Sequence, residues 1–179
     1  MKYLFLLLII FSSLYSQSQE YKVIDANGMS ATDLRVAIKS WIADSFKSAK
    51  NVIEIDEPNK IIIKGLDRFD VAYRFGGEQK YISAVLNFKV DFEIKDNRFR
   101  YKMDDIVIDS EDHKIPYDGY VDFVEKKNAQ TMKDWVLLKK SRQNLIDARN
   151  KTIGIVDNTL YSLMRSIERI PDKKPDDEW

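Results

Sequence analysis

Two adjacent acidic residues, Asp104 and Asp105, come nearest in this sequence to a general acid and its base. A β-bulge at this point could turn both carboxylates to one side, since bulges often re-aim side chains beside active sites. Successive residues of a regular strand point to opposite faces, so the two carboxylates would not converge without the bulge. We therefore favour a polar strand end, and a hydrolase that uses Asp105 is the weaker alternative.

Three other groups of polar residues could do chemistry, and each has a simpler interpretation. The acidic segment 109–112 could supply oxygen ligands to calcium, but it lacks the spaced aspartates and the glycine of known calcium loops. His113 is the only histidine, and no catalytic triad can be argued from it. The Lys-Lys-Ser-Arg run at residues 139–142 could contact an anionic surface but is typical of a solvated helix face. The sequence thus predicts no catalytic residue, no metal site and no cofactor.

Composition narrows the function classes further. Lys plus Arg and Asp plus Glu both number 29, so the charge balance does not predict a nucleic-acid partner. The absence of cysteine excludes disulfides, a thiol nucleophile and zinc–cysteine sites. With 44% hydrophobic residues, the 179-residue chain can bury one core, and we expect one main domain.

The element that must position these residues is a hairpin over residues 81–108. Apolar and polar residues alternate on both of its strands, which predicts one buried face and one face in water. The residues predicted to be buried are Ile82, Ala84, Leu86, Phe88, Val90, Phe92 and Ile94 on the first strand and Phe99, Tyr101 and Met103 on the second. Asp96–Asn97 predicts a tight turn between them. The apolar positions change parity at Ile106, which predicts a β-bulge beside Asp104–Asp105.

A strand, a helix and a second hairpin are predicted before this central hairpin. Residues 21–25 form the strand, and a capping box at residues 30–33 begins the helix. Trp41 is expected to anchor the helix in the core. The apolar stripe of the helix is Leu34, Ile38, Trp41, Ile42, Ser45 and Ala49. The β-branched residues within 52–64 predict the hairpin, and Gly65 is expected to mark a bend after it.

Less regular structure and then helix are predicted after the central hairpin. Between residues 109 and 128 the signals are weak, and one short edge strand is expected at residues 120–124. Residues 131–170 are helical in composition, as one helix or two, and close packing or a kink is expected at Gly154. Apolar residues at three- and four-residue steps predict a stripe that packs on the sheet or on a partner. The stripe is Ile153, Val156, Leu160, Leu163, Ile167 and Ile170.

The two ends of the chain are set apart from the domain. Residues 1–18 combine a positive charge, an apolar run shorter than a membrane span and small polar residues, which is the pattern of a secretory signal peptide. We expect cleavage near residues 16–18, export to the periplasm or beyond, and no transmembrane segment in the mature chain. The core domain is expected over 19–128, the C-terminal helix over 129–170, and a mobile tail over 171–179.

Several segments between residues 20 and 108 follow the pattern of a known family. They are Lys22-Val23-Ile24, Trp41 to Lys50, Val52-Ile53, Ile62 to Gly65, Arg98 to Tyr101 and Asp105-Ile106. On these segments, and on the order strand, helix, meander, long helix, the chain resembles an exported bacterial domain of unknown function with a TBP-like fold. The resemblance implies an α+β fold in which helices cover one face of a curved antiparallel sheet, and it implies export but no activity.

The sequence favours a non-enzymatic binding or interaction module of the cell envelope, whose partner is an envelope protein or a small apolar ligand. A helix across the apolar face of a curved sheet can leave a helix-grip-like cavity, so an apolar, lipid-like ligand is the alternative. The residues expected to line such a cavity are Phe88, Phe92, Tyr101 and Leu160. A closed core is favoured because the helix stripe and Trp41 can fill this space. DNA binding by analogy with the TATA-box protein is rejected, because fold does not carry function.

Overall fold

A single antiparallel sheet organises the computed structural model of the chain, which describes residues 20–46, 48–134 and 139–172. Its strands are β1 (Lys22–Asp25), β2 (Ile53–Glu57), β3 (Lys60–Phe75), β4 (Glu78–Lys95), β5 (Arg98–Ser110) and β6 (His113–Pro116). The helices are α1 (Ala31–Ser45), α2 (Ala49–Val52), α3 (Tyr120–Lys133) and α4 (Lys139–Glu168), with 3-10 turns at Tyr117–Gly119 and Ile170–Asp172. The α+β class and the long C-terminal helix are confirmed.

The strands lie in the order β1-β5-β4-β3-β2, and β6 pairs with the distal part of β5. The central hairpin turns at Asn97, whose φ is 64°. The β4–β5 register shifts between Asn87 and Lys89, so Asp105 and Ile106 together oppose the single residue Phe88. Asp105 adopts a positive φ of 52° at this point. The predicted β-bulge is therefore present, and it restores the inward direction of the apolar residues on β5.

The inner face of the sheet carries the core, and all residues predicted to be buried on β4 and β5 are buried. The capping box at the start of α1 is confirmed, with Ser30 Oγ accepting the Asp33 N–H at 3.2 Å. Leu34, Ile38, Trp41 and Ile42 of α1 are buried against this face. Because α1 ends at Ser45 and Ala49 belongs to α2, the predicted six-residue stripe is shortened to these four.

The last helix packs across the same inner face. The predicted α4 stripe joins the cluster that contains Trp41 and Phe92. The Trp41 indole also donates a hydrogen bond from Nε1 to Ser166 Oγ at 3.0 Å, so the one polar atom of this buried ring is satisfied. Residues 131–170 thus contain the end of α3 and all of α4, and α4 covers the sheet.

Gly65 does not mark a bend, because β3 runs without interruption from Lys60 to Phe75. It faces Phe88 on β4, and a Cβ atom built on Gly65 would overlap the ring of that phenylalanine. The absence of a side chain therefore provides the space in which the ring lies. The sequence indicated a special role for this glycine but not its cause.

Three further local predictions are wrong. Residues 120–124 begin helix α3 and do not form an edge strand, because Tyr120 and Val124, four residues apart, are both buried. Gly154 is exposed, and a Cβ atom there would meet nothing within 4 Å, so the close packing expected there is wrong, whereas the alternative of a kink stays a prediction. Asp91, predicted to face water, is buried on the outer face of the sheet.

Two predictions fall on residues outside the described ranges. These are the signal peptide at residues 1–18 and most of the tail, although residues 170–172 form a 3-10 turn. No helix in the described ranges has the length and apolarity that a membrane span requires.

Two glycine substitutions should change stability in opposite directions. Gly65→Ala should lower the free energy of unfolding by about 1 to 3 kcal/mol, because the buried Phe88 ring must move from its position. Gly154→Ala should raise it by about 0.5 to 1 kcal/mol, because the site is an open helix interior. Denaturant melts of both variants measure the difference. If both substitutions stabilise the protein, the Phe88 ring does not rest on Gly65.

Candidate functional site

The four residues predicted to line a ligand cavity all lie in the closed core. Phe88, Phe92, Tyr101 and Leu160 are buried in one cluster. The Phe92 ring centroid lies 5.8 Å from that of Trp41 and 6.3 Å from that of Tyr101. The Phe92 ring therefore packs against both of these rings in the core, and ligand binding by the four residues stays a prediction.

The aromatic cluster includes the hydroxyl of Tyr101, which donates to Glu168 Oε1 at 3.5 Å. Burial raises the pKa of Tyr101 to about 12, and the nearby Glu168 carboxylate adds to the effect. Glu168 in turn is ionised, because its hydrogen bond to Lys22 lowers the pKa of the carboxyl group. Tyr101 is therefore neutral at physiological pH and serves as a structural donor, not as a base.

The two residues at the bulge, Asp104 and Asp105, differ in their surroundings. Asp104 is buried and forms an ion pair with Lys102 at 2.7 Å, whereas Asp105 is exposed to solvent. General acid–base chemistry requires two groups that face one substrate. This arrangement matches the polar strand end that the sequence favours.

The acidic segment 109–112 forms the tight turn between β5 and β6. Glu111 and Asp112 both have positive φ, and the Glu111 carboxylate accepts two hydrogen bonds from Arg149 on α4, at 2.7 and 2.9 Å. The His113 ring packs against Phe123, with the centroids 5.1 Å apart. Within the described ranges no group of three or more His, Cys, Asp or Glu residues could hold a metal ion. The turn therefore anchors α4 to the sheet.

The basic run at residues 139–142 begins α4. Ser141 is buried, and its Oγ accepts the N–H of Gly76 at 3.2 Å. Arg142 donates to the carbonyl oxygen of Asp134 at 2.7 Å. Two of the four residues therefore fix the start of the helix, and only the two lysines face solvent.

On the outer face of the sheet, a polar network of side chains holds β1 in place. The Tyr21 hydroxyl donates to Asp91 Oδ2 at 3.1 Å, and Lys60 Nζ lies 3.3 Å from the same oxygen. Asp91 Oδ1 is buried and has no hydrogen-bond partner among the described residues. Burial raises the pKa of Tyr21, and the neighbouring Glu93 and Asp91 raise it further, so the hydroxyl keeps its proton. The buried aspartate thus ties the first strand to the centre of the sheet.

Strands β3 and β4 extend beyond the strands on either side of them. β2 pairs with β3 only as far as Ile63, and β5 pairs with β4 only from Ala84 onward. No other described strand pairs with residues 66–75 of β3 or residues 78–83 of β4. We call this two-stranded segment the arm. Its inner face rests on α4, whereas its outer face and its β4 edge lie open.

The backbone groups of Gln79, Tyr81 and Ser83 point to the open edge of β4. Ile94 donates its N–H to Asn59 O on the β3 side at 2.9 Å, so even-numbered residues of β4 direct their backbone groups toward β3. The β3–β4 register has no shift, and the odd-numbered residues therefore direct theirs toward the β5 side. Beyond the end of β5, the structure gives these groups no backbone partner within its described ranges.

A groove of about 890 Å³ follows this open edge, and we call it the arm groove. The β4 edge, the β5–β6 turn and the inner helix α4 all contribute to its lining. Its principal lining residues are Tyr81, Ile82 and Ser83 of β4, residues 109–112, and Leu145 and Arg149 of α4. Sequence reasoning missed this site, because its main feature is unpaired backbone and not a set of side chains.

A second depression, of about 590 Å³, lies between the end of α1, β3 and α4, and we call it the helix cleft. Phe46, Leu66 and Phe88 supply apolar surface, and Ser162 and other hydroxyl residues supply the polar part. Of the four residues predicted to contact a ligand, Phe88 alone lines this cleft.

The fold and the sites define an α+β domain with helices on one face of an open antiparallel sheet. Residues 21–109 match the family described as "Domain of unknown function (DUF4468) with TBP-like fold", so the chain is similar to that family over these residues. The resemblance predicted from the sequence is confirmed. No curated protein matches the sequence.

Two crystal structures are similar to the chain. A DUF4468 family protein from Bacteroides ovatus ATCC 8483 is 15% identical, with a TM-score of 0.49 over 89% of this chain and 88% of its own. A TBP-like protein from Parabacteroides distasonis ATCC 8503 is 13% identical, with a TM-score of 0.43 over 82% of this chain and 90% of its own.

Proposed function

We propose that the protein is an exported, non-enzymatic binding module of the cell envelope and that the arm is its binding surface. The observation that carries this proposal is the uncovered state of the arm, which has an open outer face and an open β4 edge. On that face Tyr81 is 57% exposed and Leu66 is 58% exposed. An aromatic ring beside unpaired backbone is the kind of surface that protein partners bind.

The placement of the polar residues supports binding over catalysis. Asp104 is engaged by Lys102, Glu111 is engaged by Arg149, and His113 stacks on a phenylalanine. These three groups, which the sequence offered for chemistry, thus have structural roles, whereas Asp105 is exposed to solvent. A hydrolase based on Asp105 would need a second group that faces the same substrate.

Export is proposed from the first eighteen residues. A short apolar run after a single lysine, followed by serines, is the pattern that a signal peptidase removes. A module of the envelope would meet its partner only after this step.

A second candidate function is binding of an apolar, lipid-like ligand in the helix cleft. Its volume of about 590 Å³ is within the range of small-molecule sites, and five of its lining residues are aromatic or aliphatic: Phe46, Leu66, Phe88, Ile155 and Leu163. The cleft replaces the buried rings of Phe92 and Tyr101 as the place for such a ligand.

A photo-cross-linking amino acid at Tyr81 should capture a partner in cells that export the protein. Tyr161 on α4 provides a matched control, because it is also a tyrosine and is 56% exposed, against 57% for Tyr81. We expect a discrete cross-linked product in the envelope fraction with the probe at Tyr81 and none with the probe at Tyr161. Equal products at both positions, or none at Tyr81, would contradict the arm as the binding surface.

The exported protein should lack about its first 16 to 18 residues, because the cleavage site follows the apolar run. Mass spectrometry of periplasmic and membrane fractions measures the mature N-terminus. A full-length chain in the inner membrane would show that the segment is an anchor and that export is wrong.

The Phe88→Ala variant tests whether the Phe88 ring is packed core or lines a ligand site in the helix cleft. If the ring is packed core, the substitution should cost about 3 to 5 kcal/mol and an added fatty acid should not stabilise the wild type. If the cleft holds a ligand, the cost should fall below about 2 kcal/mol and the fatty acid should stabilise the wild type. Asn87→Ala, on the opposite face, is the control and should cost about 0.5 kcal/mol or less. Denaturant melts with and without fatty acid measure all three.

A further inference from the structure

We infer that the open edge of β4 accepts an extended segment of a partner protein, added as a strand in line with β5 and carrying basic side chains. This inference rests on the proposed function and specifies the partner of the arm. It follows from the direction of the backbone groups, the difference between the two edges and the charge of the arm groove.

The backbone offers a regular row of hydrogen-bonding groups. Gln79, Tyr81 and Ser83 direct their N–H and C=O groups away from β3, at every second residue, as an edge strand must. A strand placed beside them would continue the line of β5, which leaves β4 after Ala84 and turns into β6. Strand addition satisfies such groups without any change of fold.

The β3 edge of the arm is protected against pairing with another strand, whereas the β4 edge is not. On β3 the residues whose backbone points outward include Arg68, Asp70 and Arg74. Charged side chains on an edge disfavour pairing with another strand. In addition, Asn144 on α4 donates to the carbonyl oxygen of Arg74 at 2.8 Å and occupies part of that edge. The three open residues of β4 carry no charge, so the β4 edge is the one available for pairing.

The charges in the arm groove select a basic partner. Glu111 and Arg149 neutralise each other. The other acidic residues of the lining are Asp70, Asp109 and Asp112, and its other basic residue is Arg68. Lys114 of β6 lies opposite Asp109 outside the lining, so Asp70 and Asp112 carry the excess negative charge. Excess negative charge beside a strand edge favours lysine or arginine on the incoming strand.

The two sides of the groove predict a pattern for that strand. On the outer face, Asp109 lies opposite Val85 and Asp70 lies opposite Ser83, so both carboxylates belong to the open side of the sheet. On the inner side, Ile82 and Leu145 are apolar. Because side chains alternate along a strand, basic residues should alternate with apolar ones in the partner.

A second copy of this chain is the less suitable occupant. Antiparallel pairing of two β4 edges about Tyr81 would place two acidic grooves beside each other. Like charges across an interface oppose association, so the same groove that attracts a basic strand disfavours self-pairing.

Nuclear magnetic resonance with two synthetic peptides tests the inference on the purified mature protein. One peptide alternates valine with lysine, and its twin has glutamate in place of lysine. The lysine peptide should slow hydrogen exchange at the amides of Gln79, Tyr81 and Ser83, and should bind about tenfold more tightly than its twin. Added salt should weaken its binding. Asp112→Asn, at a residue with positive φ that asparagine tolerates, should weaken it roughly twofold to fivefold.

Proline variants at two paired residues of the arm, one on each strand, provide the matched control for strand addition at the β4 edge. Tyr81 and Ala72 are paired in register, but their backbone groups point to opposite edges. Tyr81→Pro removes an N–H that the β4 edge needs for strand addition, and it should abolish peptide protection. Ala72→Pro removes an outward N–H of the β3 edge and should leave binding unchanged. Tyr81→Thr keeps the N–H and should retain protection, which separates the backbone from the ring.

The outcomes separate this inference from the proposed function. Equal protection by both peptides would overturn the basic partner. No protection by either peptide, together with a cross-linked partner at Tyr81, would overturn strand addition and leave the binding module intact. A dimer in light scattering that Tyr81→Pro abolishes would assign the edge to a second copy and overturn the inference. The absence of a cross-linked partner at Tyr81 would contradict the proposed function itself.

Discussion

The position of one aromatic ring constrains both neighbours of the central strand. On one side of β4, β3 accommodates Phe88 with a glycine, and on the other side β5 opposes it with a two-residue bulge. Close packing leaves little freedom for either strand to slide, because a one-residue shift would turn its apolar residues toward water. The inner face on which α1 and α4 pack therefore depends on how β3 and β5 fit around Phe88.

The sequence predicts the elements in which a single local period dominates. The alternation along β4, the change of parity before Ile106 and the capping box at Ser30 are all visible without tertiary information. Helix α3 was misjudged because Tyr120 to Val124 is rich in residues that favour strands. There the burial of residues four apart overrides intrinsic propensity. The role of Gly65 depends on a residue of another strand, which no local pattern contains.

The candidate site lay beyond sequence reasoning for a different physical reason. Motif searches ask which side chains could perform chemistry, and here Asp104, Glu111 and His113 are engaged in ion pairs or a ring contact. The arm arises from unequal strand lengths, since β3 and β4 are longer than β2 and β5 beside them. Strand ends are the least certain part of a sequence-based prediction. A comparison of the predicted lengths of adjacent strands is the signal that could have pointed to the open edge.

Contacts between the first and last elements determine when the chain can complete its fold. Lys22 on β1 forms an ion pair with Glu168 near the end of α4 at 2.6 Å, and Trp41 on α1 is bound by Ser166. Contacts between residues far apart in sequence form slowly, because chain entropy is lost before they stabilise anything. During synthesis the part of the sheet that α4 covers therefore stays exposed until this last helix has emerged. In an exported chain of the kind proposed above, this delay would keep the polypeptide open enough to thread through a translocation channel, and the final helix would close the domain on the far side.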